Sequence, residues 1–133
     1  MKSFLLEVVV VAFVAVPIAC SNPFGPDQSV ELSVTKLDAP ATISSGNPLT
    51  VVLSVTTGGC VSFDRITVER NASGASMTTW GRDAAKGDKN VMCPQNIVSE
   101  PHSYQFDPPF QNPFTVQVSR GRLSPLIATV QVQ

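Results

Sequence analysis

Between Val30 and Val132 apolar residues recur at every second position in short runs, and the runs end at Gly, Pro, Asn or Ser. A period of two places alternate side chains on opposite faces of an extended chain, so each run reads as a strand with one buried face. Val30, Leu32 and Val34 open the series, with Leu37 beyond them. Leu49, Val51, Leu53 and Val55 share one face of a second strand over residues 49–57, which Gly58-Gly59 terminates. Residues 61–70 form a third, in which Phe63 lies one residue out of phase with Ile66 and Val68; the slip predicts a bulge near Asp64-Arg65. Residues 76–81, carrying Met77 and Trp80, form a fourth, and residues 103–107 a fifth, with Tyr104 and Phe106 in phase. Phe114, Val116 and Val118 mark a sixth, and Leu126, Ala128, Val130 and Val132 a seventh. No segment carries a 3.6-residue period. The expected fold class is therefore all-β, a single β-sandwich of about seven strands over residues 29–133.

Residues 1–19 are a different kind of object. Lys2 precedes an apolar stretch whose centre, Val8–Val16, contains only Val, Ala and Phe. A basic head followed by a short apolar core has the form of an export signal. The stretch is shorter than the roughly 20 apolar residues that a helix needs to span a bilayer. It ends in Val16-Pro17-Ile18-Ala19-Cys20. That ending resembles the lipobox of bacterial lipoproteins, with Ala19 and Cys20 in the matching positions and Pro17 where Leu is usual. The resemblance implies cleavage before Cys20 and attachment of lipid to its sulfur, leaving the protein on the extracytoplasmic side of the membrane. Residues 20–28 then make a tether: Pro23, Gly25 and Pro26 among small polar residues hold it extended and unpacked.

The chain has three cysteines, Cys20, Cys60 and Cys93. Thiols in an exported protein pair, and an odd count leaves one over. With Cys20 carrying lipid, Cys60 and Cys93 are left as a disulfide. Zinc is the competing use of two cysteines, but there is no C-x-x-C and only one histidine, His102.

The strand pattern is similar to that of immunoglobulin-like domains on bacterial surfaces. It departs from the antibody type in one respect: Trp80 follows Cys60 by twenty residues, and both cysteines sit beside turns. The bridge is therefore expected to staple residues 82–96 to the end of the second strand. Residues 82–96 lack periodicity and are long for a connection, so they form the candidate binding loop, with Arg82, Asp83, Lys86, Asp88 and Lys89 as its charged residues. Met77 and Trp80 are expected to support the base of this loop from the core.

Composition narrows the function. A net charge of −1 argues against nucleic acid as a partner, because phosphate neutralisation takes clustered Lys and Arg. His102 reads as a solvated loop residue without a nucleophile motif, and the carboxylates are scattered rather than paired. Asp83, Asp88 and Asn90 lack calcium-loop register and are interrupted by Lys86 and Lys89. Asn71-Ala72-Ser73 reads as a turn, and Phe106 and Phe114 as core plugs with Phe110 partly exposed. The expectation is a non-catalytic module of the cell envelope without metal or cofactor. It would be held to the membrane by lipid on Cys20 and would bind or assemble an envelope protein or glycan. A structural accessory without its own ligand, or a hydrolase with an unrecognised site, are the alternatives.

Overall fold

A computed structural model of the chain describes residues 28–133. The apolar head, Cys20 and the tether up to residue 27 lie outside the described residues. Among the described residues the fold is all-β, with nine strands where the sequence predicts about seven, and one helical turn. Among the described residues no helix is long and apolar enough to cross a membrane.

The strand built from Leu49–Gly58, β4, lies between two partners. On one side runs β2, Val34–Asp38; on the other, over its full length, runs β7, Ile97–Phe106. A second set of pairings follows β5 (Val61–Arg70), β6 (Gly74–Asp83), β8 (Phe114–Arg120) and β9 (Leu123–Val132), with the short β3 (Thr42–Ile43) alongside β9. β6–β8 and β3–β9 are parallel and the other pairs antiparallel, so the sheet is mixed. The two sets join in one ladder at the β4–β5 hairpin, through Gly58 and Val61. Contacts between strands that are not ladder neighbours show how the sheet curls. Phe63 of β5 stacks on His102 of β7 at 3.7 Å, and Phe106 of β7 meets the edge of Phe114 of β8 at 5.8 Å.

The alternation does what its period requires. Leu49, Val51, Leu53, Val55, Met77, Phe114, Val116, Val118 and Val130 point into the curl and are fully buried. Each contributes about 1.5–3 kcal/mol by leaving water. Met77 and Trp80 separate here. Residues three apart on a strand face opposite ways, so Met77 is buried while Trp80 stands half-buried on the outer face. There its indole N–H donates to Thr67 Oγ1 at 2.9 Å, and the Arg65 guanidinium lies 5.8 Å from its ring. Trp80 therefore does not support the loop from the core. The register of β5 slips between Phe63 and Arg65, which is the predicted bulge.

Three elements depart from expectation. The first predicted strand divides into β1, Ser29–Glu31, which pairs with β6, and β2, which pairs with β4. The crossing point is Leu32-Ser33. Leu32 N donates to Thr79 O at 2.9 Å, Leu32 O accepts from Thr79 Oγ1 at 3.1 Å, and Ser33 O accepts from Thr56 N at 2.8 Å. These bonds hold the chain to both partners at the crossing. Gly81 lies beneath both neighbours: a Cβ there would stand 2.5 Å from Ser62 O of β5 and 2.6 Å from the Leu32 side chain. Next, β7 begins at Ile97 rather than Ser103, because pairing along β4 overrides the weak local pattern and an edge strand tolerates Pro101. Finally, residues 82–96 are not one open loop. Arg82 and Asp83 end β6, and Ala84–Gly87 form α1.

Gly58 and Gly121 both have positive φ, +139° and +60°. Around Gly121 a Cβ meets nothing within 4 Å, whereas at Gly58 it would lie 2.1 Å from Asn96 O. Gly121→Ala should cost about 1–2 kcal/mol through conformation alone. Gly58→Ala should cost clearly more and shift the denaturant midpoint further. Equal midpoints for the two variants would show that Asn96 yields freely.

Candidate functional site

Residues 58–61, 82–98 and the entry of the chain at Gln28 gather at one end of the domain. Cys60 and Cys93 are disulfide-bonded, with Cα atoms 4.9 Å apart and a sequence separation of 33. Two further main-chain bonds clamp the same region: Ala84 N to Cys60 O and Gly59 N to Asn96 O, each 3.0 Å. The incoming chain is held there too, by Asp83 N donating to Gln28 O at 2.9 Å.

The five charged residues of the candidate loop all lie at this end, but four of them serve the loop itself. Arg82 Nε reaches Asp64 Oδ1 at 3.1 Å, and Arg65 also pairs with Asp64. Asp83 caps α1, its Oδ1 accepting from Ala85 N at 3.0 Å. Lys86 Nζ donates to Ser29 O at 3.0 Å, and Asp88 Oδ1 accepts from Asn90 N at 2.8 Å. Lys89 alone of the five makes no hydrogen bond or ion pair among the described residues. The sequence reading passed over the apolar residues of this end. Met92 is 94% exposed and Ile97 79%, with Val91 and Val98 exposed beside them. The signal for them was Val91-Met92 and Ile97-Val98 on either side of Cys93 in an otherwise polar segment.

The opposite end is built on Arg70. Its Nη1 donates to Asp107 O at 2.5 Å and its Nη2 to Pro109 O at 2.7 Å. Its guanidinium lies 4.8 Å from the Phe110 ring and 5.6 Å from Phe114. Phe106 and Phe114 are buried and Phe110 half-buried, so these rings plug the core. Beside them opens a cleft of about 650 Å³ over the parallel β6–β8 pair. Glu69, Ser76 and Gln117 fall in one row across β5, β6 and β8, because Ser76 is the register partner of both others. The Asn71 turn borders the cleft, its Oδ1 accepting from the Ser73 and Gly74 amides at 2.9 Å.

His102 belongs to β7 and not to a solvated loop. It is half-buried against Phe63, with Nε2 3.5 Å from the Glu100 carboxylate. Among the described residues no three His, Cys, Asp or Glu side chains converge as metal ligands. Comparison of the chain with protein-family models, curated proteins and solved structures yields no match.

Two outcomes follow from these geometries. Reducing the Cys60–Cys93 bridge frees a closed loop worth about 3–4 kcal/mol in the chain-entropy treatment. The unfolding midpoint should fall, while far-ultraviolet circular dichroism at low temperature keeps its β spectrum. Loss of the spectrum on reduction would mean that the bridge is required for the sheet. Arg70→Ala should cost about 1–2 kcal/mol. Arg70→Lys should not restore it, because one ammonium cannot serve both carbonyls and lie flat on Phe110. Full rescue by Lys would show that charge alone matters there.

Proposed function

We propose that this chain is a lipid-anchored, extracytoplasmic module, non-catalytic, that binds or assembles components of the cell envelope. Its domain, residues 29–133, would be an immunoglobulin-like sandwich. The observation that carries the reading is the Cys60–Cys93 bridge. A structural disulfide belongs to an oxidising compartment. It also accounts for two of the three cysteines and leaves Cys20, at the end of the apolar head, as the odd one. The sandwich reading is supported by the two sets of strand pairings, around β4 and around β6–β8, and by the ring contacts between them.

The placement of Gln28 gives such a module a direction. The tether enters at the stapled end, beside Asp83 and Lys86. A lipid on Cys20 would therefore hold that end toward the membrane and turn the Arg70 end, with its polar cleft, toward the rest of the envelope. Amides and hydroxyls such as those of Gln117 and Ser76 suit a glycan or a polar protein surface.

The test expresses the full chain in a bacterial host. Native protein should partition into detergent, and intact mass should give a lipid adduct on a chain beginning at Cys20. Cys20→Ser should partition into water. An unmodified native chain would overturn the anchor. A photo-crosslinking residue at position 117 should then give a discrete adduct in cells. Its absence would favour the accessory role over binding.

A further inference from the structure

The stapled end carries more exposed apolar surface than its charged sequence suggests. Cys93 is fixed beside Cys60, so Val91 and Met92 stand out from a segment that cannot fold back. Ile97 follows at the start of β7, opposite Gly58, and Val98 beside it. Met92 and Ile97 are the most exposed large apolar side chains among the described residues, and Lys89 lies three residues before Met92. Nothing within the domain covers them.

The position of this surface indicates what does. The chain enters the domain at the same end, with Gln28 O bonded to Asp83 N and Ser29 O bonded to Lys86 Nζ. From Cys20 to Gln28 there are eight residue steps, so even a fully extended tether reaches at most about 28 Å. A lipid on Cys20 therefore keeps Gln28, and with it the end of the domain that carries Met92 and Ile97, tethered close to a bilayer. A tethered surface also meets its target at an effective concentration in the millimolar range, so a contact too weak to act alone becomes occupied.

We propose that the stapled end is a membrane seat: Met92 and Ile97 insert at the boundary of headgroups and acyl chains while Lys89 stays among the phosphates. The proposal rests on the reading of Cys20 as the anchor and deepens it, from a lipid on a flexible string to a domain with a fixed orientation. Apolar insertion drives the contact, since the cations Arg65, Arg82, Lys86 and Lys89 exceed Asp64, Asp83 and Asp88 by a single charge. Depths of about 5–10 Å are reached by apolar side chains at such boundaries.

The experiment separates the seat from the anchor. Residues 20–133 contain every described strand, and with the bridge formed Cys20 is the one thiol left. This protein is coupled through Cys20 to a maleimide lipid in phosphatidylglycerol–phosphatidylethanolamine vesicles, which supplies the tether whether or not a cell would. In Met92→Trp, bromine on the acyl chains should quench the new indole about two-fold, as insertion to the acyl boundary requires. The native protein, whose Trp80 lies on an outer face of the sheet, should be unaffected. Adding Ile97→Asp should abolish the quenching while the coupling and the bridge remain. Absence of quenching in Met92→Trp, or its persistence with Ile97→Asp, overturns the seat. So does self-association of the uncoupled protein that Ile97→Asp removes, which would make a second copy the occupant. An indole at 92 already buried in the full chain without vesicles would make the apolar head the occupant, and equally overturns it. Quenching in coupled vesicles together with a lipid-free Cys20 in cells supports the seat and overturns only the anchor reading.

Discussion

The pairing of β4 on both sides is the constraint on which the other arrangements hang. β4 is paired over its full length by β7 and over Val52–Val55 by β2, and its alternate residues Leu49, Val51, Leu53 and Val55 form an unbroken apolar row. That row must be covered, and the cover is the second set of strands. The chain reaches that set through a two-residue turn at Gly59-Cys60, which Gly58 allows by fitting beneath the Asn96 carbonyl. Cys60 sits in this turn. The staple, the helical turn at Ala84 and the entry of the chain at Gln28 are therefore all referred to the end of one strand.

The two ends of the domain solve different problems with different chemistry. At the Arg70 end, a planar cation lies against aromatic faces and bonds to two carbonyls, closing an apolar core whose rings would otherwise meet water. At the stapled end there is little apolar interior to recruit, and order comes from a covalent bridge, a cap and ion pairs on Asp64. Those contacts take up the polar side chains of the loop. The apolar ones are left outside.

What could be read beforehand follows the same division. β4 and β8 were legible nearly to the residue, since their alternation is clean and their turns are punctuated by Gly or Pro. The bulge at Asp64 was legible because a one-residue slip moves Phe63 out of phase. β7 was half hidden. Pro101 broke the run, and its inward positions near the open edge are Glu100 and His102 rather than aliphatic residues. The division between β1 and β2 leaves no local trace, because the alternation through Leu32 continues while the partner changes. The charged loop residues were visible as composition, yet whether Asp83 binds a ligand or caps a helix depends on contacts made only after folding. Met92 and Ile97 showed only as isolated apolar residues in a polar segment, which carry no period to say which way they face.

β7 has a further consequence. It is ten residues long and, among the described residues, paired on one side only, which makes it the kind of strand on which another chain's strand could extend the sheet. Its outward row beyond Ile97 is Ser99, Pro101, Ser103 and Gln105, all exposed and without a large apolar side chain, and Pro101 removes one main-chain donor near its middle. Molecules confined to a surface meet one another far more often than molecules free in solution. For a domain crowded in two dimensions, an edge that reads as a poor template lets many copies stand side by side without growing into a common sheet.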